Sequence, residues 1–107
     1  RWWETKPRYK ILIPAKVTGN KITFQSEIMN ISQTGAFLQD NNHLTPGDVV
    51  SLTFESEGLL VEIPVKVVSR HVISSTPGIG VQFFPTSLSQ KIQMFRLISR
   101  IKNHRYL

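Results

Sequence analysis

The chain has 107 residues with 40% hydrophobic content, which is enough for one domain and short for two. It has no cysteine, which excludes disulfides and thiolate metal sites, and no apolar run near the roughly 18 residues of a membrane span, so we expect a cytoplasmic protein without a span. The net charge of +6 favours an anionic partner, such as a nucleotide, a nucleic acid or a membrane surface.

Residues 1–7 show neither strand nor helix periodicity, and we expect them to form an N-terminal arm. They contain the adjacent Trp2 and Trp3, which could pack on the domain, stack on a ligand base, or contact a missing segment. We expect the chain to be a fragment of a longer protein, because it starts at Arg1 without a methionine.

Three strands are predicted in the first part of the chain. Alternating apolar and polar residues over 8–18 predict the first, in which Pro14 favours an edge position or a bulge. A turn at 19–20 separates it from a second alternating run over 21–29, and a third strand is predicted over 35–39.

Three further strands are predicted over 49–55, 59–73 and 79–84, with turns at 44–48 and 56–58 and a loop at 74–78. Within the long run the period of two shifts at Val68, which indicates a bulge near Ser69. Strands that recur every dozen or so residues, separated by turn residues, predict an antiparallel all-β barrel or sandwich.

The chain changes character after Pro85. Ser87 and Gln90 form a capping-box pattern, which predicts the start of a helix. Apolar residues then recur at helical spacing in one stripe, formed by Leu88, Ile92, Phe95, Ile98 and Ile101. We expect this amphipathic helix to cover an open end of the barrel, and a partner-binding or dimerising helix is the alternative.

No catalytic constellation is convincing, so we do not expect an enzyme. Glu55 and Glu57 lie at a strand end, where solvated carboxylates are the simplest interpretation. The three histidines lie far apart without ligand spacing, and no metal site is predicted from His43, His71 and His104. The phenylalanines alternate in phase with aliphatic residues, which predicts core positions for Phe24, Phe37, Phe54 and Phe83. We therefore expect no general nucleic-acid binding.

The segment 30–38 places polar residues and a glycine between two apolar runs. Asn30 and Ser32 can donate and accept hydrogen bonds, while Gly35 can adopt positive φ or let a flat ligand approach the backbone. Alone, such a pattern is typical of a hairpin turn with Asx and serine chemistry. As an exposed turn, it is expected to tolerate alanine at Ser32.

With residues 7–17 upstream and 78–83 downstream, the order and spacing of this segment resembles the PilZ domain, a bacterial receptor family for cyclic di-GMP. The resemblance spans residues 7–84, and a following helix is also usual in that family. It implies a domain over residues 8–107, with a six-stranded antiparallel β-barrel at 8–84 and a C-terminal helix at 87–104.

Two motifs bind the nucleotide in that family: R-x-x-x-R on the arm, and [DN]-x-S-x-x-G between the second and third strands. The second is matched by Asn30, Ser32 and Gly35, and Arg8 matches the second arginine of the first. Four residues earlier stands Glu4, with the opposite charge. The resemblance implies that the four residues that match the motifs contact the ligand, namely Arg8, Asn30, Ser32 and Gly35. Further arm contacts are expected from Arg1, Trp3, Glu4 and Lys6.

The resemblance implies a non-catalytic cyclic di-GMP sensor within a longer bacterial signalling protein, with no cofactor besides this ligand. Ordering of the arm by the ligand would change contacts with an attached domain or a partner protein. The alternative is a degenerate PilZ adaptor that does not bind the nucleotide and acts through protein contacts. Glu4 favours the adaptor, whereas the complete second motif favours the sensor.

Overall fold

The computed structural model describes residues 7–105, without the side chain of Arg105. Its elements are β1 (Tyr9–Thr18), β2 (Thr23–Ile31), β3 (Gly35–Gln39), β4 (Val49–Ser56), β5 (Leu59–Ile73), β6 (Thr76–Phe83) and α1 (Leu88–Arg105). The six strands pair antiparallel and close into one barrel in the order β1-β2-β3-β6-β5-β4. The predicted mainly all-β barrel with a C-terminal helix is confirmed.

The barrel interior is filled by alternate side chains of each strand. In β1, Ala15 and Val17 are buried while Pro14 and Lys16 are exposed, as the alternation predicts. The fully buried aliphatic side chains include Ile28, Leu38, Leu52, Ile63 and Ile79. Burying each such side chain contributes about 1.5–3 kcal/mol, and the packed interior makes the wall a rigid support for residues on its outer face.

Phe37 departs from the predicted core phase. It pairs with Asn30 on β2 and Gly80 on β6, whereas inward-facing Leu38 pairs with Ile79. Because paired residues share a face of the sheet, Phe37 lies on the outer face. It is nevertheless only 2% exposed. Its ring lies over the bare backbone of Gly78, where an added Cβ would come within 2.5 Å of Phe37 Cζ.

Two strand irregularities are predicted, near Ser69 and at Pro14. The register between β5 and β6 shifts between Val67 and Ser69, which confirms the bulge. The prediction for Pro14 is only partly met, because β1 is paired on both sides in the closed barrel and its register shift lies between Lys10 and Ile13. Pro14 does lie just outside the β1–β4 ladder, which covers Ala15–Thr18, so its missing N–H removes no hydrogen bond there.

The predicted loop at 74–78 is wrong. Only Ser74 and Ser75 form the turn, and both have positive φ, of 50° and 66°, as in a two-residue type I′ hairpin. The following residues 76–78 already belong to β6. The sequence signal is misleading because a Ser-Ser pair lacks the usual Asn-Gly chemistry, while Pro77 and Gly78 suggest a longer loop.

The predicted helix start is confirmed in its main contact. Ser87 Oγ accepts a hydrogen bond from the Gln90 N–H at 3.1 Å. The return contact of the predicted capping box differs, because Gln90 Oε1 accepts from the Thr86 N–H at 2.7 Å. The cap therefore extends one residue further upstream than the pattern indicates.

The face of α1 that closes the barrel is only partly the predicted stripe. Met94, Leu97 and Ile101 are buried with the barrel core. Leu88 and Phe95 are 72% and 61% exposed. The prediction is wrong for the first half of the stripe, because the buried residues lie on a different face of the helix from the predicted stripe. The buried face and the predicted stripe share residues only near the C-terminus of the helix.

Within residues 7–105, no helix is long and apolar enough to cross a membrane. The same part of the chain contains no cluster of three histidine, cysteine or acidic residues placed to hold a metal ion.

Candidate functional site

The turn between β2 and β3 is held by Ser32. Asn30 lies within β2, so the turn itself is shorter than the predicted segment. Ser32 Oγ accepts hydrogen bonds from the N–H groups of Thr34 and Gly35, at 3.3 and 3.2 Å. Ser32 is 2% exposed, so the expectation of an exposed turn position is wrong. Ser32 and Gly35 are buried, whereas Gln33 and Thr34 between them are exposed. The N–H group of a buried residue needs a partner within the protein, and for Gly35 the Ser32 hydroxyl is that partner.

Gly35 has a packing role that the sequence does not reveal. In the described part of the chain, the glycines with positive φ are Gly47 and Gly58, so the positive-φ expectation for Gly35 is wrong. A Cβ on Gly35 would lie 2.3 Å from the carbonyl oxygen of Val81. The absence of a side chain therefore lets β3 approach β6 and begin the ladder directly after the turn.

Arg8 and Asn30 are brought together from segments 22 residues apart. Arg8 directly precedes β1, and the pairing of β1 with β2 places Lys10 opposite Asn30. The Arg8 guanidinium donates a hydrogen bond to Asn30 Oδ1 at 2.6 Å. A guanidinium has five N–H donors in a planar fork, so one such bond leaves capacity for a ligand's oxygens.

This pair borders a cleft of about 210 Å³ on the outer face of β2, β3, β6 and β5. Its polar and aromatic lining consists of Arg8, Asn30, Phe37, Ser69 and His71. Gly80 forms part of the lining, and a Cβ there would come within 2.5 Å of Ser69 Oγ. The volume is below the roughly 300–1,000 Å³ of pockets for whole drug-sized ligands, and suits one planar group of a larger ligand.

Comparison with protein families identifies the fold. The family model described as PilZ domain matches residues 5–100. The chain belongs to the PilZ domain family. Among curated proteins, no relative matches the chain.

Solved PilZ structures share the fold at low sequence identity. The PilZ domain of Escherichia coli YcgR with c-di-GMP superposes with a TM-score of 0.76 at 14% identity, covering 94% of this chain and 92% of that one. The MrkH–c-di-GMP complex of K. pneumonia gives 0.78 at 16% identity, covering 95% and 53%. The PilZ domain of CeSA from a cellulose-synthesising bacterium gives 0.71 at 18%, covering 90% and 98%. The chain thus matches isolated PilZ domains whole and spans about half of MrkH.

In this PilZ domain, the cleft also contains residues outside the predicted site. Ser69 and His71 follow the bulge in β5 and pair with Gly80 and Gly78, on the face that carries Phe37. The His71 ring lies 4.9 Å from the Phe37 ring between centroids, tilted by 36°. The alternation of β5 is the sequence signal that could have indicated that Ser69 and His71 share a face. Only the pairing of β5 with β6, and of β6 with β3, shows that this face lies beside the family motif.

A buried carboxylate holds the loop that follows β3 in the PilZ barrel. Asp40, 2% exposed, follows β3 and accepts hydrogen bonds from the His43 and Leu44 N–H groups at 3.0 and 2.9 Å. The His43 ring donates at 2.8 Å, and Arg70 of β5 also donates to this carboxylate. Arg70 further donates to the Leu44 carbonyl at 2.7 Å. This cluster ties the loop after β3 to the strand that carries His71.

The ionisation of Asp40 follows from these contacts. Burial acts to raise the pKa of its carboxyl group. The N–H groups of Leu44 and His43, and then the His43 ring and Arg70, outweigh burial, and the pKa lies below its ordinary value of 3.8. Asp40 is therefore an anion at neutral pH whose charge is bound within the fold.

The further arm contacts predicted for Arg1, Trp3, Glu4 and Lys6 lie outside the described residues. Their roles stay predictions, as does the boundary between arm and domain at residues 7 and 8.

Proposed function

We propose that this PilZ domain is a non-catalytic sensor that binds cyclic di-GMP at the cleft beside Arg8 and Asn30. The hydrogen bond of 2.6 Å between these residues carries the proposal, because it joins the two family motifs at one surface. The family assignment and the c-di-GMP complexes of YcgR and MrkH support it. The domain acts in the cytoplasm, as part of a longer bacterial signalling protein.

Arg8 suits the charge and the shape of this ligand. Its planar fork can donate two parallel hydrogen bonds to a phosphate or to the O6 and N7 atoms of guanine. The Asn30 amide offers both a donor and an acceptor to a base edge. The cleft holds one planar base, and the arm ahead of Arg8 contacts the remainder of the dinucleotide.

Ser32 and Gly35 act at this site through the backbone. Ser32 Oγ also donates to the Gly35 carbonyl at 3.3 Å, so its hydrogen-bonding capacity is used within the turn. The carbonyl oxygen of Val81 fills the space where a side chain of Gly35 would lie. Both residues position the end of β2, and with it Asn30, for the ligand.

Replacing Arg8 tests the proposal directly. Charged hydrogen bonds contribute roughly 1.5–3 kcal/mol each, so Arg8→Ala is expected to weaken cyclic di-GMP binding by about tenfold to 150-fold. Arg8 is exposed and precedes the first strand, so the melting temperature should change little. Calorimetric titration of both proteins measures the effect.

Arg96→Ala provides the matched control, because Arg96 is an exposed arginine on α1, away from the residues that line the cleft. Its affinity should equal that of the parent. Equal affinities in the parent and in Arg8→Ala contradict the assignment of Arg8, and loss in both variants indicates attraction by net charge alone.

The second candidate function is an adaptor that acts through protein contacts without the nucleotide. Glu4 favours it, because a carboxylate stands where the family motif has an arginine. A parent domain that shows no heat of binding with cyclic di-GMP, while remaining folded, would support this candidate.

A further inference from the structure

We propose that His71, held against Phe37, is the stacking surface for a guanine base of the bound nucleotide. The inference rests on the proposed function and adds a residue outside both family motifs. It assigns the aromatic wall of the cleft to β5, opposite the hydrogen-bonding pair Arg8 and Asn30.

The support beneath His71 is rigid. Phe37 is 2% exposed although it lies on the outer face of the barrel. Its ring fits against Gly78, where even a Cβ would lie 2.5 Å from Phe37 Cζ. Because the Phe37 side chain is so confined, it loses no further rotamer freedom when a ligand binds above it. The His71 imidazole, which lies on Phe37, is correspondingly preorganised for binding.

The His71 ring combines this support with access. Its centroid lies 4.9 Å from that of Phe37, within the usual range of aromatic contacts, yet His71 itself is exposed and lines the cleft. Ser69 Oγ lies 3.4 Å from His71 Nδ1 and restrains the ring orientation from the same strand face. An exposed flat ring that is fixed from below is the arrangement on which nucleic-acid bases stack in proteins.

Gly80 leaves space beside this ring. A Cβ at this position would meet Ser69 Oγ at 2.5 Å and His71 Cε1 at 3.8 Å. The glycine therefore keeps the floor of the cleft open between the imidazole and the Asn30 side, where a flat group can enter.

A purely structural role for His71 is the competing explanation, since the imidazole also covers Phe37. The chain contains a second stack that separates the two roles. His43 stacks on Phe24 at 4.3 Å and 17°, and His43 also bonds to Asp40. Neither residue of that pair lines the cleft.

The test compares cyclic di-GMP affinity in the parent, His71→Ala, His71→Phe and His43→Ala by calorimetry, each below its measured melting temperature. Loss of a base-stacking ring is expected to weaken binding by about fivefold to 150-fold in His71→Ala. His71→Phe keeps a flat ring and should bind within about threefold of the parent, a difference of about 0.65 kcal/mol at most. His43→Ala should bind as the parent does, even if it melts earlier.

Two results overturn the inference. Parent-like affinity in His71→Ala means that the ring only covers Phe37. Weakening in His71→Phe equal to that in His71→Ala means that the imidazole contributes hydrogen bonds and not stacking. If Arg8→Ala loses affinity in either case, the proposed function stands and only the role of His71 fails. A parent that binds no cyclic di-GMP contradicts both.

Discussion

Ser32→Ala tests whether the turn of the family motif is a structural unit. The hydroxyl of Ser32 accepts from the N–H groups of Thr34 and Gly35 in a position that is 2% exposed. Alanine keeps the local shape and removes both acceptor contacts. Water cannot readily replace them at the Gly35 N–H, which is buried.

The magnitude follows from these contacts. A buried donor left without a partner costs about 1–3 kcal/mol, and the two bonds are long at 3.2 and 3.3 Å, so we expect a loss of about 1–3 kcal/mol in the free energy of unfolding. For a domain of this size, each kcal/mol corresponds to roughly 4–8 °C in melting temperature. Urea unfolding followed by circular dichroism measures the free energy, and calorimetry measures the affinity for cyclic di-GMP.

Gln33→Ala is the control in the same turn, because Gln33 is exposed, and its unfolding free energy should change by less than about 0.5 kcal/mol. The reasoning is refuted if Ser32→Ala and Gln33→Ala are equally stable. In that case Ser32 is dispensable for the turn, and any loss of affinity would instead reflect direct contact of its hydroxyl with the ligand.

Three other predictions follow from the cleft, the buried carboxylate and the arm. Gly80→Ala should leave the melting temperature nearly unchanged, because Ser69 Oγ can rotate away from the added methyl group. The methyl group should narrow the cleft and so weaken cyclic di-GMP binding in a calorimetric titration, and unchanged affinity would place the ligand elsewhere. Because the pKa of Asp40 is lowered by folding, its stabilising contribution is complete above its ordinary value of 3.8 and is lost as the pH falls through the folded value. Asp40→Asn should therefore lose roughly 1.5–3 kcal/mol of unfolding free energy at pH 7 and show a flatter decline below about pH 4, and parallel acid-unfolding curves for the two proteins would contradict this role. Glu4→Arg should tighten cyclic di-GMP binding, with a gain that shrinks as salt is added, whereas weaker binding than the parent would make Glu4 itself a ligand contact.

Local periodicity predicts an antiparallel barrel or sandwich and its long fifth strand, and the family resemblance selects the barrel. The alternation of 59–73 predicts the bounds of β5, and its shift at Val68 predicts the bulge before Ser69. These features depend on residues that are neighbours in sequence, where patterns of period two are most informative.

Features that depend on pairing between distant strands were not predictable in this way. Phe37 lies in an unbroken apolar run between Ala36 and Leu38, so alternation does not show which face it occupies. Only its pairing with Asn30 and Gly80 reveals the outer face. The burial of Ser32 and the contact of Gly35 with Val81 likewise depend on the β3–β6 ladder. For the same reason the sequence shows His71 only as a histidine without ligand spacing, although it lines the cleft.

The family motifs predict two residues of the candidate site. The motifs contain Arg8 and Asn30, and these two side chains lie in contact. Their roles toward a ligand stay predictions, together with those of Ser32 and Gly35 and of the arm residues. A sequence motif records which residue types occur, whereas the hydrogen bonds within the turn show that two of them are already engaged by the fold.

Mapping of backbone amide shifts by NMR during a titration with cyclic di-GMP tests the central claim most directly, because it reports both binding and position. We predict saturable shifts concentrated at the cleft, for Arg8, Asn30, Ser69, His71 and Gly80, with Gly58 unaffected in the turn at the other end of β5. Saturable shifts centred on α1 or on that turn, with the cleft unchanged, would contradict the proposed site, as would a complete absence of shifts.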